Sequence, residues 1–321
     1  MLSARKAFLG VDGGGTKTRA VVVSETGEKI ADIVTEGSNV NHFGWERAQT
    51  VLGDLFEQIR ASLPANTWIS SLFFGLAGVD RPEERRKMSE WISTQWPGAA
   101  VGVENDTLPA LVSGSGETEG IVLIGGTGSI AFGINDRGEQ CRVGGWGYLI
   151  GDEGSGYDIG RDAYSAVLRS FDGRGPQTLL TGKILAYYQL QDPTALIPLV
   201  YSNDFSREQI AAVTWFVFEA AREGDEVSLT LLSRAADELA ELVRTMLTRM
   251  SFVKARVPVV LTGGLFHAGS PLIGMVEGRL SGRADVVRSE KPPAVGAVIL
   301  AHKQAGAAPG DHWEQTLSEI K

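Results

Sequence analysis

The sequence predicts an α/β protein of two units, each built on a mixed sheet, and three observations predict it. Strand-like runs of period two alternate with helix-like runs of period 3.6 through the first third of the chain. A hairpin interrupted by glycines at residues 9–23 has a weaker echo at residues 121–134, so the pattern starts again. Beyond the echo, amphipathic helical patterns dominate, which makes the second unit helix-rich.

Residues 7–11 and 19–23 read as the strands of the hairpin, 25–28 (ETGE) as a turn, and 29–35 as a third strand entering the loop GSNVNHFG. A helix is expected from about residue 45 to 63, where Ala48, Val51, Leu52, Leu55, Phe56 and Ile59 recur at helical spacing. Residues 69–77 read as a buried strand, 81–95 as a helix opened by Pro82, and 99–103 as a strand ending at Glu104, Asn105 and Asp106. The restart supplies strands at 121–124 and 130–134 around GGTGS, and a third at 141–143. A glycine-dense loop, GGWGYLIGDEGSG, fills 144–156 and mostly helices follow, the longest from about 225 to 252. The final strand is expected at 258–261, meeting the pair Gly263 and Gly264, with a helix opening near 267–270. Residues 293–303 (PAVGAVILAHK) form a small-residue helix suited to close packing on a sheet, and the tail after Gly306 is expected to fray. These readings give one domain over 1–118, with the helix of 293–306 crossing back onto it, a second over 119–292, and a tail at 307–321.

Composition narrows the function classes. The net charge of the 321 residues is −9, with Asp and Glu scattered, and nothing basic is gathered for a nucleic-acid backbone. A hydrophobic content of 43% with 21% charged residues is that of an ordinary soluble globular protein. Cys141, the single cysteine, excludes an intrachain disulfide, a Cys-built zinc site and an iron–sulfur cluster held by one chain. It fits a reducing cytoplasm. The N-terminal apolar run is broken by Asp12 before it could serve as a signal core, and no apolar stretch approaches the length of a membrane span. A cytoplasmic protein with neither a nucleic-acid nor a membrane partner is expected.

The stretch LGVDGGGTKTRAVVV at 9–23 places one acid and three glycines between two apolar strands. A turn of that kind lets a ligand approach backbone N–H groups, and it suits a phosphate. It is not a P-loop, because Thr16 intervenes before Lys17 and the following residues are β-branched rather than helical. It is not a dinucleotide fingerprint, because Thr18 stands where a glycine is needed and no helix opens. A purely structural hairpin is the plain alternative, against which Asp12, Thr16 and Lys17 weigh.

Three glycine turns, each after an apolar strand, in two repeated α/β units: this combination resembles the actin-like ATPase superfamily of sugar kinases, heat-shock-protein 70 and actin. LGVDGGGTKT is similar to its first phosphate motif, VLIGGTGS to its second and VVLTGGL to its adenosine motif. GGWGYLIGDEGSG is more specific and resembles the N-acetylglucosamine kinases and the BadF/BadG/BcrA/BcrD ATPases, with support from GSNVNH, END at 104–106 and AREGD at 221–225. The resemblance implies two actin-like (ribonuclease H-like) domains with mixed five-stranded sheets and a cleft between them. It also implies ATP and Mg²⁺ as cofactors, an amino sugar as the small-molecule partner, and permits a homodimer.

Phosphoryl transfer needs metal-bridged phosphates, an in-line acceptor and a carboxylate to orient or deprotonate that acceptor. The resemblance gives Asp12 to Mg²⁺, through water, and Asp106 to the general-base role towards a sugar hydroxyl. The plain alternative for Asp106 is capping of the helix that follows. Gly13, Gly14, Gly15, Thr16 and Lys17, with Gly126, Thr127, Gly128 and Ser129, are the phosphate-binding candidates. Gly263, Gly264 and Ala221 are the adenosine candidates by analogy. Asn41, Asn105, Asp106, Gly145, Trp146, Asp152 and Glu153 are the sugar candidates, with Asn39 in reserve if the loop shifts. Trp146 could instead be core, and Asp152 with Glu153 could cap the helix starting near Ser155.

The expected activity is that of an ATP-dependent kinase of N-acetylglucosamine at its 6-hydroxyl, with glucosamine and N-acetylmuramic acid as neighbouring substrates. An ATPase that activates a 2-hydroxyacyl-CoA dehydratase is the alternative from another class. It needs paired cysteines per chain, which Cys141 alone does not supply. A sugar-sensing repressor would carry a DNA-binding segment ahead of a first strand that here begins by residue 7.

Overall fold

Strand β1 (Arg5–Gly13) is apolar at every position from Ala7 to Val11, and its burial on both faces explains why. Ala7, Leu9 and Val11 enter one core while Phe8 enters another, as the two-residue repeat of a strand requires. β1 pairs antiparallel with β2 (Lys17–Ser24), which pairs antiparallel with β3 (Lys29–Glu36). On its other edge β1 pairs in parallel with β4 (Thr67–Leu76), and β4 with β5 (Ala100–Glu104), giving a sheet of order β3-β2-β1-β4-β5. Helices α1 (Val40–Phe43), α2 (Trp45–Ser62), α3 (Pro82–Gln95) and α4 (Thr107–Ser115) connect these strands. The structure, a computed structural model, describes residues 5–320 apart from Asp80, Ser281 and Pro309.

The second unit repeats this strand order. β6 (Gly120–Gly125) pairs antiparallel with β7 (Ser129–Ile134), and β7 with β8 (Gln140–Gly144). β9 (Val257–Thr262) lies parallel to β6, and β10 (Ala284–Arg288) parallel to β9. Between β8 and β9 run α5 (Gly156–Phe171), α6 (Leu180–Tyr187), α7 (Leu196–Val200), α8 (Arg207–Ala212), α9 (Thr214–Arg222) and α10 (Glu226–Arg249). α11 (Pro271–Arg279) connects β9 to β10. α10 buries Leu232, Ala235, Leu239, Val243 and Met246, the face its apolar repeat marks out. The sequence reading ended its strands at 258–261 and missed β10, an edge strand with only two large apolar residues.

The chain divides into two compact units, one continuing to Thr118 and resuming at Ser289, the other Glu119–Arg288. After the second unit, α12 (Pro293–Gln304) packs on β1 and α4. Its small residues permit this, since a methyl group at Gly296 would lie 1.9 Å from the Pro109 carbonyl oxygen. The expected fraying after Gly306 does not occur. Residues 313–319 form α13 (Trp313–Glu319), which buries Trp313 and Leu317 beside Phe8. Among the described residues no helix is long and apolar enough to cross a membrane.

Candidate active site

Asp12 stands where β1 runs out into the first glycine turn, and one glycine on the neighbouring strand determines what stands beside it. In the parallel register Asp12 pairs with Gly75. A methyl group at Gly75 would lie 2.5 Å from Pro109 Cγ and 3.3 Å from Asp106 Cα, so only glycine lets the start of α4 approach this strand end. The consequence is electrostatic. Burial, and after it the negative charge of Asp106, push the Asp12 carboxyl up to about 7, against the pull of Lys17 and Arg19.

Asp106 stands at the N-cap position immediately before α4, yet its side chain makes no cap hydrogen bond there. Asn105 takes that part, its Oδ1 accepting from the Thr107 N–H at 3.3 Å. The capping alternative for Asp106 therefore fails. Asn105, expected to face a sugar, is only 1% exposed and is a turn residue.

The turn after β1 is closed from within and braced from both sides. The Gly14 N–H donates to the Lys17 carbonyl (3.0 Å), the Gly14 carbonyl accepts from Ser38 (3.0 Å), and the Gly13 carbonyl accepts from Ala77 (2.8 Å). Gly15, Thr16 and Lys17 are left exposed. In the adjoining loop, Asn39 Oδ1 accepts from the amides of Asn41 (2.9 Å) and His42 (3.2 Å), which makes Asn39 the cap of α1. Asn41 is exposed and lies against Gly78, just past β4.

In the second unit the turn from Gly126 to Ser129 is held by the start of α5. The Gly156 and Tyr157 amides donate to the Gly126 (2.8 Å) and Thr127 (3.1 Å) carbonyls. Ser129 departs from the sequence reading: it is buried, and its hydroxyl donates to the Glu153 carbonyl at 2.7 Å, tying turn to loop instead of facing a phosphate. Gly128 faces the Asp152 carboxylate, where a methyl group would lie 2.7 Å from Oδ2. Ser155 caps α5, accepting from the Asp158 N–H, so Asp152 is not a cap; it is buried and accepts from the Gly147 N–H at 3.3 Å. Glu153 is exposed. Gly145, at φ +69°, turns the chain over Ile130. Trp146 is 62% exposed with the Arg142 guanidinium 4.3 Å from its ring, so it does not belong to the core.

A cavity of about 480 Å³ in this unit is lined by Gly126, Thr127 and Gly156, by Thr214, Trp215 and Phe218 of α9, and by Gly264, Leu265 and His267. The second and third glycine turns thus meet at one cavity. Gly263, at φ +98°, passes so close to β6 that a methyl group would lie 2.4 Å from the Gly125 carbonyl oxygen. Ala221, expected near the adenosine, is a buried core residue and not one of the lining residues. The sequence reading missed Thr214, Trp215 and His267. The spacing of Thr214, Trp215 and Phe218, which puts all three on one side of a helix, was the available signal.

Comparison with known proteins agrees with this architecture. The BadF/BadG/BcrA/BcrD ATPase family matches residues 9–301. The chain is 34% identical to the N-acetylmuramic acid/N-acetylglucosamine kinase of Clostridium acetobutylicum, over 93% of this chain and 99% of that one. It is 32% identical to the N-acetyl-D-glucosamine kinase of Dictyostelium discoideum, over 93% and 98%. A crystal structure from Chromobacterium violaceum, described as a candidate N-acetylglucosamine kinase, superposes with a TM-score of 0.66 at 27% identity, covering 92% of this chain and 98% of that one. With two mixed five-stranded sheets of one strand order and a family match running through both units, the chain belongs to the BadF/BadG/BcrA/BcrD ATPase family.

Proposed function

We propose that this protein is an ATP-dependent amino-sugar kinase that phosphorylates N-acetylglucosamine at the 6-hydroxyl, with N-acetylmuramic acid as a neighbouring substrate. The observation that carries the reading is the pair of carboxyl groups, Asp12 and Asp106, set together at the end of β1 beside a glycine turn. Asp106, not engaged in capping its own helix, is the base that accepts the proton of the attacking sugar hydroxyl. The exposed amides and hydroxyl of Gly15 and Thr16 hold phosphate oxygens, and Lys17 offsets their charge. Asn41 is the sugar-recognition candidate of the first unit, and Trp146 and Glu153 those of the second. The names carried by the relatives at 34% and 32% identity support the substrate class.

The residues present suit Mg²⁺. Among the described residues no group of three or more His, Cys, Asp and Glu side chains forms a protein-only metal cage. Mg²⁺ does not ask for one, since it keeps several waters and takes one or two carboxylates plus substrate phosphates. Asp12, crowded by burial and by Asp106, is the carboxylate that would hold it, and a cation relieves that crowding. The chemistry the ion would supply is neutralisation of the negative charge carried by the transferring phosphoryl group.

A coupled assay of ADP release across amino sugars tests the proposal. N-acetylglucosamine should stimulate release, and Asp106→Asn should lower kcat by roughly 10²- to 10⁴-fold. A variant that retains full rate removes Asp106 from the base role, and the absence of any sugar-dependent release defeats the proposal as a whole.

A further inference from the structure

The cavity of the second unit includes an imidazole with one hydrogen-bonding atom that nothing in the protein satisfies. His267 packs against Trp215, ring centroids 5.3 Å apart, and Phe218, 5.4 Å apart, and all three line the cavity. Its Nδ1 is 2.8 Å from the Ala268 carbonyl oxygen. A carbonyl oxygen only accepts, so Nδ1 carries the proton of the neutral ring and Nε2 presents a lone pair. That Nε2 is buried without a partner. Buried polar atoms are nearly always paired, and the unpaired one here is an acceptor needing a donor.

Trp215 supplies a second feature. Its indole N–H donates to Glu219 at 2.9 Å and the Arg222 guanidinium lies 6.0 Å from its ring, yet half of the residue is exposed at the cavity wall. An aromatic face held in place this way is a stacking surface for a flat heterocycle. Gly126 and Thr127 of the second glycine turn line the same cavity, which gives a nucleotide a phosphate-binding end.

We infer that this cavity selects adenine among purines: Trp215 stacks on the base, and His267 Nε2 accepts a hydrogen bond from the exocyclic 6-amino group. The inference rests on the reading of the protein as an ATP user. An adenine base in the cavity would bring Nε2 the donor it lacks. Guanine and hypoxanthine carry an oxygen at the same position, and its lone pairs oppose those of Nε2. The bond from Nδ1 to Ala268 keeps the ring from exchanging its tautomer to suit them.

Calorimetric titration of the full chain in the absence of sugar tests this with three ligands: ATP, inosine triphosphate and purine riboside triphosphate, which has only hydrogen at position 6. ATP should bind about fivefold to tenfold more tightly than either of the others, as one hydrogen bond provides. In His267→Phe the three affinities should converge, and in Trp215→Ala all three should weaken together by about tenfold. Equal affinities for ATP and purine riboside triphosphate in the unaltered protein overturn the assignment of His267, with no variant needed. Unchanged affinities in Trp215→Ala overturn the stacking. A protein that binds nucleotides without discrimination, yet phosphorylates sugar, leaves the kinase proposal standing. One that binds no nucleotide defeats both.

Discussion

Two carboxyl groups share the end of β1 because residue 75 has no side chain. Gly75→Ala would place a methyl group against Pro109 and the Asp106 backbone, and α4 would have to move away from the strand. Overpacking of this kind costs about 1–3 kcal/mol, and displacing Asp106, the proposed base, should lower kcat by at least about tenfold even where the variant stays folded. Thermal denaturation followed by steady-state kinetics separates the two effects, and a folded variant with unchanged kcat would contradict the assignment of Asp106. A second comparison separates hydroxyls that the sequence presents as equivalent. Ser129 ties the turn to Glu153 whereas Thr127 lines the cavity. Ser129→Ala should therefore lower stability by about 1 kcal/mol through the lost hydrogen bond. Thr127→Ala should raise the KM for ATP and leave the melting temperature nearly unchanged. The reverse pattern would mean that the two roles have been exchanged.

At the scale of elements, the parts legible in the sequence are those whose chemistry is local. The strands around both glycine turns and the long helix α10 follow from period and from turn residues, and Asp12 and Asp106 are conspicuous as acids at strand ends. β10 is not legible, because an edge strand pairing on one side needs few apolar residues. Nor are Trp215 and His267, since the cavity joins them only after α9 and the turn following β9 have packed. The C-terminal element failed to register for a related reason: glycines and charges suggest a loose tail, while Trp313, Leu317 and Ile320 cover Phe8 on β1. Tertiary burial thus overrides composition there. Trp313→Ala should cost about 3–5 kcal/mol, as for other large buried aromatics. Denaturant titration measures it, and a cost near zero would show α13 to be dispensable.

For the whole molecule, the same packing gives stability a dependence on pH. His302 of α12 is buried between Phe8, at 4.9 Å between ring centroids, and Trp313, at 4.2 Å. Burial disfavours its charged form and lowers its pKa below the usual 6.5, with the Ala308 backbone only partly opposing the shift. The unfolded chain therefore takes up a proton on His302 first as pH falls. The stabilising contribution is complete above about pH 6.5 and is lost as pH drops through the lower folded value. Asp12 acts in the opposite sense, because its raised pKa makes the folded state the better proton binder between the ordinary carboxylate range and about 7. The two contributions overlap, so the wild-type profile alone does not separate them. The difference between wild type and His302→Phe does, since Asp12 is common to both. Melting temperatures taken from pH 7.5 to 5 should fall more steeply with acid in the wild type than in His302→Phe. Parallel curves would mean that His302 is not protonated differently in the folded and unfolded chains, and that the aromatic packing around it does not exclude its charge.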